Sequence, residues 1–298
     1  MNWKTMFILS KKYGRLCNRL FNSAHVLASA IEHKHKFVNL AFYDYACFFH
    51  STSQDIFCRF PIQSSFIQNH SKVGKLLYYV AYIPSILLRY LKNIGIKFHT
   101  LKIVSASEYQ DSCNLDTILP NGISNSNQVV FFQGFPILAF NSLEKHGDEV
   151  RKYFTPSAKY QNNIRTLIAD LRKDSDLLIG VVIRHGDYRE YLSGRYFYTL
   201  DQYSQFMDQF HRIFSDKKLK FLICSDEEQN LSAFENFDFY FRSGHMIENL
   251  YSLAECDYII SPPSTYGMWA SFFGKVPLYI INNPEKSISI DCFKICIG

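Results

Sequence analysis

Glycine and proline are scarce, 13 and 9 of 298 residues. Collagen-like and low-complexity chains need several times as much, so both classes are excluded. The eight cysteines, at 17, 47, 58, 113, 224, 256, 292 and 296, form no CxxC pair and have no histidine at zinc-finger spacing. They read as reduced thiols of a cytosolic protein, many of them in a core. The first ten residues lack the basic, apolar and small-residue segments of a signal peptide, so the Asn-x-Ser triplets at Asn69 and Asn230 read as chance matches. No apolar run reaches the roughly 20 residues that a spanning helix needs. The Walker lysine-serine pair, the Gly-x-Gly-x-x-Gly series and the Gly-x-Ser-x-Gly elbow are all missing, which removes P-loop, nicotinamide-fingerprint and hydrolase readings. No Asp-x-Asp follows an apolar strand in the way a nucleotide-bound Mg²⁺ would use. Apolar side chains are plentiful instead: 47% hydrophobic and 16% aromatic against 20% charged, the composition of a globular chain with a large core.

Acid is short in one region. The first hundred residues carry 13 basic and 3 acidic side chains, the second hundred 11 of each, and the last 98 carry 8 and 13. This asymmetry points to an anionic surface or ligand on the N-terminal side. Within that third lies the longest apolar run, residues 76–91, sixteen residues interrupted by Pro84 and bordered by Lys72, Lys75, Lys92 and Lys97. An interfacial helix dipping into a bilayer and a buried core helix with solvated ends both fit it. No nucleic-acid motif is present, and the basic residues are not interleaved with aromatics along one element, so no nucleic-acid partner is expected.

Hydrophobic periodicity organises the rest. A strand at 6–9, a helix face at 17–32 built on Cys17, Leu20, Phe21, Ala24, Leu27, Ala28 and Ile31, and a strand-like run at 37–43 make an opening β-loop-α-β unit. Residues 129–132 and 143–154 read as a strand and a charged helix, and Thr155-Pro156-Ser157 as the domain boundary. Beyond it, apolar strands at 177–183, 220–224, 239–241, 258–261 and 276–281 alternate with amphipathic helices at 158–171, 200–214, 247–255 and 265–273. That alternation means a parallel sheet covered on both faces. The expected fold is therefore α/β: an N-terminal α/β domain over 1–155 and a doubly wound C-terminal domain over 156–298.

Ligands of parallel sheets bind beyond the carboxyl ends of the strands. Three consecutive strands are followed there by Arg184-His185-Gly186-Asp187-Tyr188, by Ser225-Asp226-Glu227 and by Ser261-Pro262-Pro263-Ser264-Thr265. Ser264 or Thr265 can cap a helix whose free N–H groups and dipole form an anion site. Arg184 emerges from seven apolar residues; its fork matches a phosphate bidentately, and a structural pairing with Asp187 or Asp226 is the alternative. Gly14, Arg15 and Asn18 occupy the first strand-to-helix loop, where backbone and side-chain donors can meet a phosphate or sugar.

Together these pieces resemble a family. Residues 181–188 (VVIRHGDY) are similar to the His-x-Arg-Arg-Gly-Asp-Tyr motif of the bacterial α1,2-fucosyltransferases of glycosyltransferase family eleven. Residues 14–21 (GRLCNRLF) resemble the Gly-x-x-x-Asn-x-x-Phe opening shared with the protein O-fucosyltransferases, 221–227 the strand ending in Ser-Asp-Asp, and 248–272 the motif in which a Ser-Ser/Thr-Phe turn opens a helix. The resemblance implies two Rossmann-like domains facing a cleft (GT-B type), the N-terminal one on the acceptor side. It also implies an inverting transferase, acting without a metal or other cofactor, that moves fucose from GDP-fucose to a glycan or lipid-linked glycan in surface polysaccharide biosynthesis, in the cytoplasm or on the inner membrane face.

Carried over by position, Arg184 binds the donor diphosphate, Ser264 and Thr265 meet the phosphates, Asp226 lies near the nucleotide, and Arg15 and Asn18 face the donor. Asp187 or Glu190 would accept the acceptor's proton. Three positions depart from the pattern: Val182 replaces a histidine, His185 an arginine, and the guanine-reading carboxylate falls on Asn249, with Glu248 beside it. A transferase using another nucleotide sugar, or a catalytically silent sugar- or membrane-binding protein on the same scaffold, therefore remains open.

Overall fold

The structure, a computed structural model, describes residues 5–63, 71–96, 98–109, 112–122 and 127–297. Asn69, Lys97 and part of the polar stretch at 121–127 lie outside them. The chain divides into two compact units, Met1–Ala158 with Ile297–Gly298, and Lys159–Cys296.

The first unit runs β1 (Met6–Leu9), α1 (Leu16–Glu32), β2 (Lys36–Asn39), α2 (His50–Ser53), β3 (Arg59–Phe60), α3 (Ser71–Asn93), β4 (Leu101–Ser105), β5 (Cys113–Asn114), α4 (Leu115–Gly122), β6 (Val129–Gln133), β7 (Ile137–Leu138) and α5 (Phe140–Tyr153). Its main sheet has the order β3-β2-β1-β6-β4, parallel except for β3. The apolar face expected over 17–32 is the buried face of α1, with Leu20, Ala24, Leu27 and Ala28 fully or almost fully enclosed. The strand-like run at 37–43 ends at Asn39, where the Asn39 amide donates to Ser23 Oγ at 2.7 Å and the chain turns into a short 3₁₀ segment, Leu40–Phe42. Helix α3 continues through Pro84 and buries only one face, on Tyr78, Ser85 and Leu88; much of the remainder is apolar and exposed. The buried-core alternative for residues 76–91 is thus not what the fold adopts.

The second unit follows α6 (Ala158–Leu171) with β8 (Leu177–Ile183), α7 (Leu200–Ile213), β9 (Leu219–Ser225), β10 (Phe239–Arg242), α8 (Met246–Leu253), β11 (Tyr258–Ser261), α9 (Thr265–Gly274) and β12 (Leu278–Ile280). All strands are parallel, in the order β10-β9-β8-β11-β12. Numbered within the unit this is 3-2-1-4-5, the doubly wound arrangement, and the strand order reverses between β8 and β11. Strand β8 is buried on both faces because it is central, which is why its sequence, LLIGVVI, carries no polar residue. Helix α7 starts with a Thr199–Gln202 capping box and lays Tyr203, Phe206, Met207 and Phe210 against the sheet core around Ile179, Val181, Phe221 and Ile223.

Two buried side chains of α1 fix the first unit's β6–β7 connection. Asn22 donates to Gly134 O at 2.8 Å and accepts from Ile137 N at 3.0 Å, while His25 Nδ1 accepts from Ala139 N at 2.9 Å. Burial lowers the His25 pKa from 6.5 to about 4. Below the unfolded value the unfolded chain takes up a proton that the folded chain refuses, so the unit loses stability as pH falls from 6.5 towards 4. Across the whole window the loss is about 3 kcal/mol. In urea unfolding at pH values spanning this window, His25→Asn, which keeps an acceptor for Ala139, is expected to flatten the slope; an unchanged slope would contradict the assignment.

Candidate active site

The carboxyl edge of the second sheet gathers charge. Arg242 ends β10, Asp226 follows β9, Arg184 follows β8 and Ser264 follows β11, so these residues lie along one edge that includes the β8–β11 reversal. Such a reversal opens a crevice, because the connections on its two sides leave in opposite directions.

Arg184 is held from two sides. Nη2 donates to Asp187 Oδ1 at 2.6 Å, and Nε lies 3.2 Å from Asp226 Oδ2 without its N–H aligned for a hydrogen bond. The arginine and Asp226 side chains are each 17% exposed and that of Asp187 48%. Burial works against the guanidinium charge, but Asp226 and Asp187 outweigh it and its pKa is raised. The pairing with Asp187 and Asp226 left open by the sequence is therefore present. Asp226 also holds backbone. Its Oδ1 accepts from His185 N at 2.9 Å and Gly186 N at 3.4 Å, so one carboxylate fixes both the turn leaving β8 and the guanidinium beside it.

Tyr188 links this cluster to the next strand. Its ring centroid lies 4.9 Å from Arg184 Cζ, and its hydroxyl donates to Pro263 O at 2.6 Å. Burial raises the phenol pKa, while Ser264 and Arg184 work in the opposite direction. Ser264, 6% exposed, is the N-cap of α9, its Oγ accepting from Tyr266 N at 3.2 Å, and Thr265 is the first helical residue. The helix start can settle on the strand end because residue 267 is glycine: a Cβ there would overlap Ser261.

The remaining expected residues fall into three places. Glu248 and Asn249 converge on Arg242: Glu248 Oε2 accepts from its Nη2, and Asn249 Oδ1 from its Nε, each at 2.8 Å. Asn249 Nδ2 also donates to Arg242 O and Gly244 O, both at 3.4 Å, so its polar atoms are engaged internally. Glu190 is exposed, next to a loop in which Leu192, Ser193 and Gly194 all have left-handed backbones. Arg15 and Asn18 belong to the first unit, at the start of α1; Gly14 before them has φ +62°, and a Cβ on it would overlap Asn18. His185 turns inward, its Nε2 lying 2.7 Å from Tyr198 O and its ring stacked on Phe197.

Three residues escaped the sequence reading. Arg242 follows the apolar run 239–241 as Arg184 follows 177–183, so the same signal could have found it. Tyr188 as a bridge and Gly267 as a contact point carry no local signal.

The sequence matches the model of glycosyl transferase family 11 over residues 93–289. No curated protein matches it. Its fold is similar to that of a mutant FUT1 of Arabidopsis thaliana in complex with GDP, at TM-score 0.62 and 12% identity over 98% of this chain and 74% of that one. It is also similar to the fucosyltransferase NodZ from Bradyrhizobium, at TM-score 0.58 and 16% identity over 96% and 98%, and to NodZ α-1,6-fucosyltransferase soaked with GDP-fucose, at 0.59 and 15% over 96% and 98%. The expected fold class is the one observed, two Rossmann-like α/β units of the GT-B type.

Gly267→Ala is expected to cost about 1–3 kcal/mol in urea unfolding, the usual range for overpacking. Adding Ser261→Gly, which removes the overlapped side chain, should recover part of that loss; a neutral single variant would contradict the packing argument.

Proposed function

The chain belongs to glycosyl transferase family 11, and on that premise we propose that this glycosyltransferase moves fucose from GDP-fucose to a glycan acceptor, inverting the anomeric centre without a metal ion. The observation that carries the reading is the joining, across the β8–β11 reversal, of a half-buried guanidinium to the capped start of α9 through Tyr188. For the donor, support comes from relatives of the same fold, FUT1 in complex with GDP and NodZ soaked with GDP-fucose.

Breaking the anomeric C–O bond leaves an oxocarbenium-like sugar and a diphosphate that gains negative charge. Fixed cations and aligned N–H groups stabilise such a leaving group without reorganising during the step. In this reading a phosphate oxygen takes the place of Asp187 on Nη2 of Arg184 while Asp226 keeps its hold near Nε. Asp187, thereby released, and exposed Glu190 are the two candidates to accept the proton of the attacking hydroxyl. Ser264 and the first N–H groups of α9, that of Thr265 included, serve the remaining phosphate oxygens. Glu248 and Asn249 act on the donor through Arg242, and Arg15 and Asn18 are the donor-facing groups of the first unit. An α1,2 linkage, a role in surface polysaccharide synthesis on the cytoplasmic side and a peripheral membrane contact complete the reading.

A second reading, transfer from another nucleotide sugar, is favoured by one observation. Asn249 stands where the family's guanine-reading carboxylate falls, and its polar atoms are spent on Arg242 and Gly244. Thermal shift with GDP, UDP and CDP at equal concentration separates the two, because only a nucleotide that binds the folded chain raises the midpoint.

Arg184→Ala is expected to lower transfer by roughly 100- to 1000-fold, the loss typical of one leaving-group or oxyanion donor. Arg184→Lys, which keeps the charge and loses the fork, should also be impaired. Circular dichroism checks that both variants stay folded. Wild-type turnover by Arg184→Ala would remove the site, and absence of any donor hydrolysis or transfer by the wild type would favour a silent binding protein.

A further inference from the structure

Helix α3 presents an anomaly of packing. It buries Tyr78, Ser85 and Leu88 against its own unit, yet Leu76, Val80, Ile83, Leu87, Tyr90 and the following Ile94 are 56–63% exposed. Their spacing alternates four and three residues, so they form one continuous apolar stripe on the outer side of the helix. An exposed apolar face of this extent marks an interaction surface.

Charge identifies the occupant. Between Asp55 and Glu108 the sequence has no acidic residue and seven basic ones, Arg59, Lys72, Lys75, Arg89, Lys92, Lys97 and Lys102. Lys72 lies at the start of the stripe, and Lys75 and Arg89 project on one flank of it by helical spacing. On that flank a groove of about 330 Å³ opens at the carboxyl edge of the first unit's sheet, lined by Lys11, Arg89, Tyr82, Tyr90, Ile86 and Gln133 among others. Among the described residues neither Lys11 nor Arg89 has an ion pair, whereas the adjacent Lys12 is paired with Asp44 at 2.5 Å. Among the described residues no acidic side chain lines the groove. Its floor is polar: Gln133 is 2% exposed and donates to Ser85 Oγ at 2.6 Å.

From these observations we infer that α3 lies in the surface of an anionic phospholipid bilayer, its apolar stripe among the upper acyl chains and a lipid phosphate in the groove between Lys11 and Arg89. A second copy of the chain fits the stripe less well, because antiparallel pairing would set basic flank against basic flank with no carboxylate between them. No helix of the described residues is long and apolar enough to cross a membrane, so α3 rests on the bilayer. The inference gives the peripheral contact of the proposed function its surface, and its test uses no nucleotide, so it can fail without the transfer reaction failing, and the reverse.

The test is co-sedimentation of the full chain with vesicles of phosphatidylcholine alone or mixed with phosphatidylglycerol, at low and high salt. Binding should need the anionic lipid and weaken with salt. Leu87→Glu should abolish it and the milder Leu87→Asn should weaken it; the position is exposed, and circular dichroism confirms folding. Lys11→Ala and Arg89→Ala should each weaken binding about fivefold, corresponding to the ~1 kcal/mol that a cation contributes near an anionic leaflet. Wild-type protein that stays in the supernatant with anionic vesicles overturns the inference. So does binding that Leu87→Glu leaves intact, or a dimer in sedimentation velocity that Leu87→Glu dissociates while vesicles are ignored.

Discussion

A guanidinium taken out of water at the end of a buried strand must be neutralised, and the second unit is arranged around that requirement. Seven apolar residues carry Arg184 to the sheet edge, and with 17% of its side chain exposed it depends on Asp226. An uncompensated buried charge would cost several kcal/mol. Asp226 comes from the end of the neighbouring strand, so the ion pair exists only when β8 and β9 are in register, with Ile183 opposite Ser225. The same carboxylate accepts two backbone N–H groups of the turn after β8. Pairing of the strands and placement of the cation are therefore one event.

Strand order does the rest. In a 3-2-1-4-5 sheet the residues after strands 1 and 4 become neighbours although about eighty positions separate them in sequence, here Arg184 and Ser264. Tyr188 fastens the two by stacking on one and donating to the carbonyl before the other. The first unit uses the same architecture differently. Its crevice, between β1 and β6, carries Lys11 and Gln133 and is bordered by a helix with apolar residues on the outside. Lys11 and the charge cluster of Arg184, Asp226 and Arg242 thus lie at the carboxyl edges of two separate sheets.

Much of this was legible in the sequence, and the reason is physical. Residues 177–183 and 258–261 read correctly as strands because a central parallel strand is buried on both faces and is almost wholly apolar, and Ser264 or Thr265 read as a cap because a hydroxyl before a helical pattern has few other uses. Arg184 read as a sheet-edge cation for the same reason. The region from 44 to 128 was opaque. Its strands β3 and β5, like β7 just beyond it, are two residues long, too short for any period, and α3 is apolar on both faces, which hides the direction of the core. Asn249 read as a ligand-facing position from its motif alone; its partners Arg242, at the end of β10, and Gly244, in the turn before α8, make a contact that no spacing rule supplies.

The central claim is that a diphosphate sits between the Arg184 guanidinium and the start of α9. A crystal structure of the chain with GDP tests it most directly. The account predicts phosphate oxygens within hydrogen-bond reach of both Arg184 and the backbone N–H groups at Thr265 and Tyr266, with the Arg184–Asp187 pair opened. GDP bound elsewhere, or bound with Arg184 still closed on Asp187, would contradict it.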